Sequence, residues 1–256
     1  LAKQNVIYAE VRFAPSLHIK EGLKYEQIVE SAIRGMNKAK EKYGIEGGLL
    51  LCCMRGEDNT ISNLKTVSAS KKYMRKGVIG LDLAGAEALY PTSDYEDIFK
   101  VAKANNIPFT IHAGEAAGAE SIKKALEYGA KRIGHGVRCL EDDNLVSELI
   151  RREIPLEVCP ISNLQTKATG EKHPIEELYR KGIKVTINPD NDTVSNTNIV
   201  EEYKWVLENT NLTVKDIIAM NEYAIRGAFI SPTKKAELIA KINEYKNRSE
   251  KSDKIL

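Results

Sequence analysis

Two of the chain's four histidines, His112 and His135, stand at the ends of short apolar runs, in His112-Ala113-Gly114-Glu115 and Gly134-His135-Gly136. Asp190 has the same kind of position in Asn188-Pro189-Asp190-Asn191. Imidazole and carboxylate are good ligands for Zn2+, and a catalytic zinc keeps one position open for water. Water held that way approaches a pKa of ~7 and becomes a nucleophile at neutral pH. Hydrolysis also needs a base for the water's proton and an acid on the leaving side. His112, His135, Asp190 and Glu115 can fill these roles between them. Glycine beside each histidine allows close approach of backbone or ligand. His18 and His173 lie in loop or helix-start contexts and read as structural.

Residues so far apart in sequence need elements that end in one place. Short runs rich in Val, Ile and Leu cover residues 6–13, 48–54, 78–83, 108–112, 132–135, 155–159 and 184–188. Several are apolar almost throughout, which marks strands covered on both faces of a parallel sheet. Helical periodicity is expected over 25–43, 94–105, 121–128, 142–152, 174–181, 199–209, 213–226 and 232–245, with Gly44, Gly129 and Gly182 as stops. Alternating strand and helix builds either an open doubly wound sheet or a closed barrel. Polar residues recur at the C-terminal ends of several strands. In a barrel those ends converge on one pocket, whereas an open sheet gathers residues only at its switch point. The reading is a (β/α)8 barrel represented by seven strands: one domain over 1–247 and a polar tail over 248–256.

Bulk composition fits one soluble domain. The chain has 256 residues, 42% hydrophobic and 29% charged, with a net charge of +2. That balance argues against nucleic acid or an anionic membrane surface as partner, and no run approaches the ~20 apolar residues of a membrane span. Cys52, Cys53, Cys139 and Cys159 form no Cys-x-x-Cys pair, a usage suited to a reducing cytoplasm. No nucleobase-deaminase pattern of His-x-Glu with Pro-Cys-x-x-Cys is present.

Five segments, in order, resemble the adenosine deaminase family: Tyr8-Ala9-Glu10-Val11-Arg12-Phe13-Ala14-Pro15, Asp82-Leu83-Ala84-Gly85, His112-Ala113-Gly114-Glu115, Arg132-Ile133-Gly134-His135-Gly136 and Leu156-Glu157-Val158-Cys159-Pro160-Ile161-Ser162-Asn163. The resemblance implies a zinc hydrolase that converts adenosine or 2′-deoxyadenosine to the inosine product and ammonia, through hydroxide made from zinc-bound water. It implies that His112 and Asp190 ligate zinc and that Glu115 gives a proton to purine N1. It implies that His135 orients and deprotonates the water and that Gly85 meets purine N3 through its backbone. Glu115 must hold a proton near neutral pH to do this, which burial beside a purine favours. Asp82, Ser162 and Asn163 are expected to support these groups. Sister enzymes acting on adenine or a modified adenine nucleoside are the near alternative, and a purine-binding protein without turnover is the distant one. The stretch Ser162-Asn163-Leu164-Gln165-Thr166 resembles the nucleoside enzymes more closely.

Two departures stand out. Many family members have Asn-Thr-Asp-Asp-Pro where this chain has Asn188-Pro189-Asp190-Asn191-Asp192. Asn191 therefore takes the place of an aspartate expected at purine N7, and its amide can donate there where an aspartate must first be protonated. The family's first-strand His-x-His pair, which also ligates zinc, occurs nowhere in the sequence. The segment carrying it is expected upstream of Leu1. It would complete the barrel as a cleaved but retained peptide or as part of a longer natural chain, between edges at 6–13 and 184–188.

Overall fold

The computed structural model describes residues 1–170 and 172–252, with side chains to residue 247. β1 (Tyr8–Phe13), α1 (Tyr25–Tyr43), β2 (Glu46–Met54), α2 (Thr60–Tyr73), β3 (Val78–Ala84) and α3 (Glu96–Ala104) form the first half. β4 (Thr110–Ala113), α4 (Ala119–Tyr128), β5 (Arg132–His135), α5 (Asp143–Arg151), β6 (Pro155–Val158), α6 (Pro160–Gln165), α7 (Ile175–Arg180) and β7 (Lys184–Ile187) follow. α8 (Ile199–Asn209), α9 (Val214–Gly227) and α10 (Pro232–Ser252) close the described chain.

Local chemistry sets the helix ends. Gly44 and Gly129 terminate α1 and α4 in the left-handed region, at φ 70° and 101°, where a side chain would be strained. Asp142 opens α5 by accepting from the amides of Asn144 and Leu145. Thr213 and Asp216 form a reciprocal capping box at the start of α9.

Two helices depart from expectation. α2 buries Asn63, Thr66, Val67, Ala69, Ser70 and Tyr73. Its core face is small and polar, so no apolar period marks it in the sequence. Asn63 earns its burial by bonding both the amide and the carbonyl of Met54 at the end of β2. α6 is a six-residue helix behind Pro160, too short to show any period. The span 94–105 divides into a 3-10 turn, Thr92–Tyr95, and α3. β1 and β4 start two residues later than expected. The backbone of α10 stays helical through Ser252; the rest of the expected tail, 253–256, lies outside the described residues.

All strand pairs are parallel, in groups β1-β2-β3 and β4-β5-β6-β7 joined by a bridge between Leu81 and Phe109. In a flat sheet β1 and β6 would lie about 24 Å apart. Yet Arg12 on β1 reaches Glu157 on β6 at 2.9 Å, and Glu10 on β1 reaches Arg132 on β5 at 2.7 Å. The sheet therefore curls into a barrel wall. Among the described residues β1 and β7 each have one hydrogen-bonded neighbour, so the wall is not closed by hydrogen bonds.

The outer face packs Leu49, Leu51, Leu81, Leu83, Ile111 and Ile133 against the helices. The inner face is ionic. Arg12 bridges Asp82 and Glu157, while Arg132 bridges Glu157 and Glu10. Burial pushes the Glu157 carboxyl up, but Arg12 and Arg132 outweigh it and hold the group down at about 2. Tyr8, Glu10 and Arg12 thus line the interior below the mouth rather than the mouth itself. The four cysteines are buried and unpaired. Among the described residues no helix is long and apolar enough to cross a membrane.

Candidate active site

The strand ends bring four of the expected residues together. His112 lies within β4, His135 ends β5, Glu115 follows β4, and Asp190 follows β7. His112, His135 and Asp190 offer ligand atoms all within 4.8 Å of one another, and the two imidazole rings have centroids 5.2 Å apart. His135 and Asp190 both sit in the left-handed region, at φ 60° and 59°. That conformation costs a non-glycine residue on the order of 1–2 kcal/mol and persists only where the surroundings impose it.

Each group has a partner that aims it. Asp82, fully buried at the end of β3, lies 2.9 Å from His112 Nδ1. Burial pushes its carboxyl up, but His112 and Arg12 hold it well below the usual carboxylate range. A carboxylate only accepts, so His112 carries a proton on Nδ1, and Nε2 is the nitrogen left for a metal. This is the carboxylate–histidine arrangement that orients metal ligands. Gly134 makes room for the ring: a Cβ there would lie 3.1 Å from His112 Cα and 3.2 Å from its Cγ. Ser162 Oγ donates to Asp190 Oδ2 at 2.7 Å, leaving Oδ1 free. The half-buried carboxyl of Glu115 receives Thr166 Oγ1 at 3.1 Å and lies 3.3 Å from His135 Nε2.

The remaining expected residues lie at the rim. Gly85 is exposed at φ 110°, with Arg55 backbone 3.3 Å from where a Cβ would be. Asn191 is exposed. Its Oδ1 accepts from the amides of Thr193 and Val194, so its amide Nδ2 is the end left for another partner. Asp82 and Ser162, expected as supports, touch His112 and Asp190 directly. His173, expected to be structural, is buried and bonded to Asn163.

Sequence reasoning missed Glu87. This buried carboxylate receives the amides of Gly114, Glu115, Ala116 and Ala117, at 2.7, 3.0, 2.8 and 3.0 Å, and Ser121 Oγ at 2.5 Å. It holds the loop that carries Glu115. The one signal for it is an acid two residues beyond Gly85, in a loop that otherwise shows only small and apolar side chains. Arg55 extends the support, bonding Thr92, Tyr90 O and His112 O.

The likenesses to known proteins agree with this geometry. Residues 1–245 match the family described as adenosine deaminase. An adenosine deaminase of Haemophilus ducreyi is 40% identical over 250 residues, covering 95% of this chain and 73% of that protein. One from Clostridium botulinum strain Kyoto is 42% identical over the same shares. Among solved structures, an adenine deaminase from Arthrobacter aurescens superposes with a TM-score of 0.87 at 25% identity, over 96% of this chain and 76% of that one. An Arabidopsis N6-mAMP deaminase does so with 0.83 at 28% identity, over 95% and 74%. A match over nearly the whole chain, on a barrel mouth that gathers the motif residues, has one reading: the chain belongs to the adenosine deaminase family of hydrolytic enzymes.

Proposed function

We propose that the chain hydrolyses the 6-amino group of adenosine or 2′-deoxyadenosine, giving inosine or 2′-deoxyinosine and ammonia. The observation that carries the reading is the convergence of His112, Glu115, His135 and Asp190 on one rim of the barrel, within a chain at least 40% identical to proteins named adenosine deaminase. Residues 1–247 act as one barrel domain in this reading. Four buried, unpaired thiols suit a reducing compartment, and we assign the chain to the cytoplasm.

The donor types suit zinc, but His112 and Asp190 are two of the three protein ligands a catalytic zinc needs, too few for a tight and active site without the His-x-His pair. His112 offers Nε2, its ring fixed by Asp82, and Asp190 offers the oxygen that Ser162 leaves free. Bound there, zinc would supply Lewis acidity that makes a water nucleophilic at neutral pH. The side chains do the rest. Gly85 meets purine N3 through its backbone and Asn191 donates its amide to N7. Glu115 passes a proton to N1, which makes C6 electrophilic. Water oxygen bonds to C6 while its proton goes to a side-chain base at the rim. That proton then moves to the amino nitrogen, the C–N bond breaks, ammonia leaves, and the new hydroxyl returns a proton to Glu115.

A second reading, an adenine or modified-adenine deaminase, has support from the structural neighbours named adenine and N6-mAMP deaminases. Ammonia release with added zinc from adenosine, 2′-deoxyadenosine, adenine and N6-methyl-AMP separates the two. Highest kcat/KM on the nucleosides supports the proposal, and highest kcat/KM on adenine or the nucleotide replaces it. Purine binding without ammonia from any of them would leave a binding protein.

A further inference from the structure

We infer that His135 is held as its Nε2–H tautomer by a one-way hydrogen-bond relay from the backbone of Ile175 through His173 and Asn163, which makes His173 and Asn163 positioning residues. Every link has a forced direction. The amide of Ile175 can only donate, and it lies 3.1 Å from His173 Nδ1. His173 is neutral near pH 7, because burial first and His135 second hold its pKa down at about 4. A neutral imidazole whose Nδ1 accepts carries its proton on Nε2. His173 Nε2 is 3.3 Å from Asn163 Oδ1, so Oδ1 accepts. The other end of that amide, Nδ2, can only donate, and it faces His135 Nδ1 at 3.0 Å. His135 Nδ1 therefore accepts, and the ring's proton sits on Nε2. The second Nδ2 hydrogen points toward Glu115 Oε1 at 3.5 Å, a contact only a donor satisfies.

The two site histidines thus differ in kind. Asp82 holds a proton on His112 Nδ1 and leaves Nε2 as the nitrogen for a metal. The relay holds His135 the other way round, with a hydrogen on the nitrogen that faces Glu115 Oε2 at 3.3 Å. His135 Nε2 is then a donor. It can hydrogen-bond the oxygen that attacks C6, but it offers no lone pair to take that oxygen's proton or to ligate a metal. The water's proton therefore goes to another side chain at the rim as oxygen bonds C6, and from there to the departing amino nitrogen. This replaces the base role that the family resemblance implies for His135. The catalytic consequence rests on the deaminase reading; the tautomer does not. The fold accounts for the relay, since His173 stands buried just before α7, edge-on to Trp205 at 5.7 Å.

The test uses the full chain, free of metal, with 15N-labelled histidine. Long-range proton–nitrogen correlation spectra at pH 7.5 report which nitrogen of each ring is protonated. The four histidines are assigned by single His→Gln variants. The expected result is an Nε2–H pattern for His135 and His173, with a proton on Nδ1 of His112. Asn163→Asp, nearly isosteric, places an acceptor opposite His135 and should move its proton to Nδ1 while His173 keeps its pattern. His173→Phe cuts the relay one step earlier and should give His135 mixed tautomers. In both variants kcat should fall roughly 10- to 100-fold, the scale for losing a group that orients a functional histidine, with KM little changed. An Nδ1–H pattern for His135 in the unaltered chain, or no change in it with Asn163→Asp, overturns the inference. The expected tautomers together with no ammonia from any purine would instead sink the deaminase reading and leave the relay standing.

Discussion

Replacing Glu87 by glutamine isolates what holds Glu115 in place. Glu87 Oε1 takes Gly114 N and Ser121 Oγ; Oε2 takes the amides of Glu115, Ala116 and Ala117. Glutamine presents one oxygen and one NH2. Its better orientation puts the oxygen toward the three amides and the NH2 toward Gly114 and Ser121. The serine hydroxyl can turn and accept, but Gly114 N–H is orphaned, at a cost of about 1–3 kcal/mol. The three remaining bonds lose their charge assistance, about 1 kcal/mol each. Relief from burying a charge offsets part of this. The expected net loss is roughly 2–4 kcal/mol, concentrated in residues 114–117. Urea unfolding measures the global part, and amide hydrogen exchange at 114–117 measures the local part. Ammonia release should show kcat falling more than KM rises, because Glu115 loses its position while Gly85 and Asn191 keep theirs. Wild-type unfolding free energy with unchanged exchange at 114–117 would refute the reasoning, whatever the activity.

Three further outcomes are expected. Glu202 is buried and its carboxyl is pushed up to about 7 by burial, against the Ile161 amide and Thr197 hydroxyl that stabilise its charge. Its native pKa exceeds its unfolded one, so the native state binds the extra proton and stability should fall as pH rises from about 4.5 to about 7. Glu202→Gln should flatten that fall and be the more stable protein at pH 8, read by thermal unfolding across pH; parallel curves for the two proteins would contradict it. Gly134→Ala drives a Cβ to 3.1 Å from His112 Cα and should lower kcat by displacing the ring; full activity would show that the wall gives way freely. Asp82→Asn removes the carboxylate that fixes His112 and should weaken zinc affinity about 10- to 100-fold in chelator competition, with equal affinity counting against the orienting role.

Much of the arrangement was legible in the sequence, because the signals involved are local. Apolar runs such as Gly48-Leu49-Leu50-Leu51-Cys52-Cys53 read as strands covered on both faces, and β2 is one. Glycine at 44 and 129 marked helix ends because φ there is positive. His112, Glu115, His135 and Asp190 could be named because their types are chemical and each follows an apolar run. α2 could not be seen, since its buried face is Asn63, Thr66 and Ser70, and polar residues become core only when partners such as Met54 satisfy them.

Residue types and strand–turn punctuation determined which side chains could do chemistry and at which end of the wall they would stand. Only the tertiary structure decided what those side chains are. Glu87 became an anchor because five donors from residues 114–121 converge on it. Arg12 became a cross-barrel tie because the sheet curls far enough to bring β6 within reach of β1. His112 holds a proton on Nδ1 and His135 on Nε2 because Asp82 can only accept and Asn163, oriented from Ile175, must donate. Hydrogen-bond direction depends on what faces an atom across space, and neither spacing nor composition along the chain carries that information.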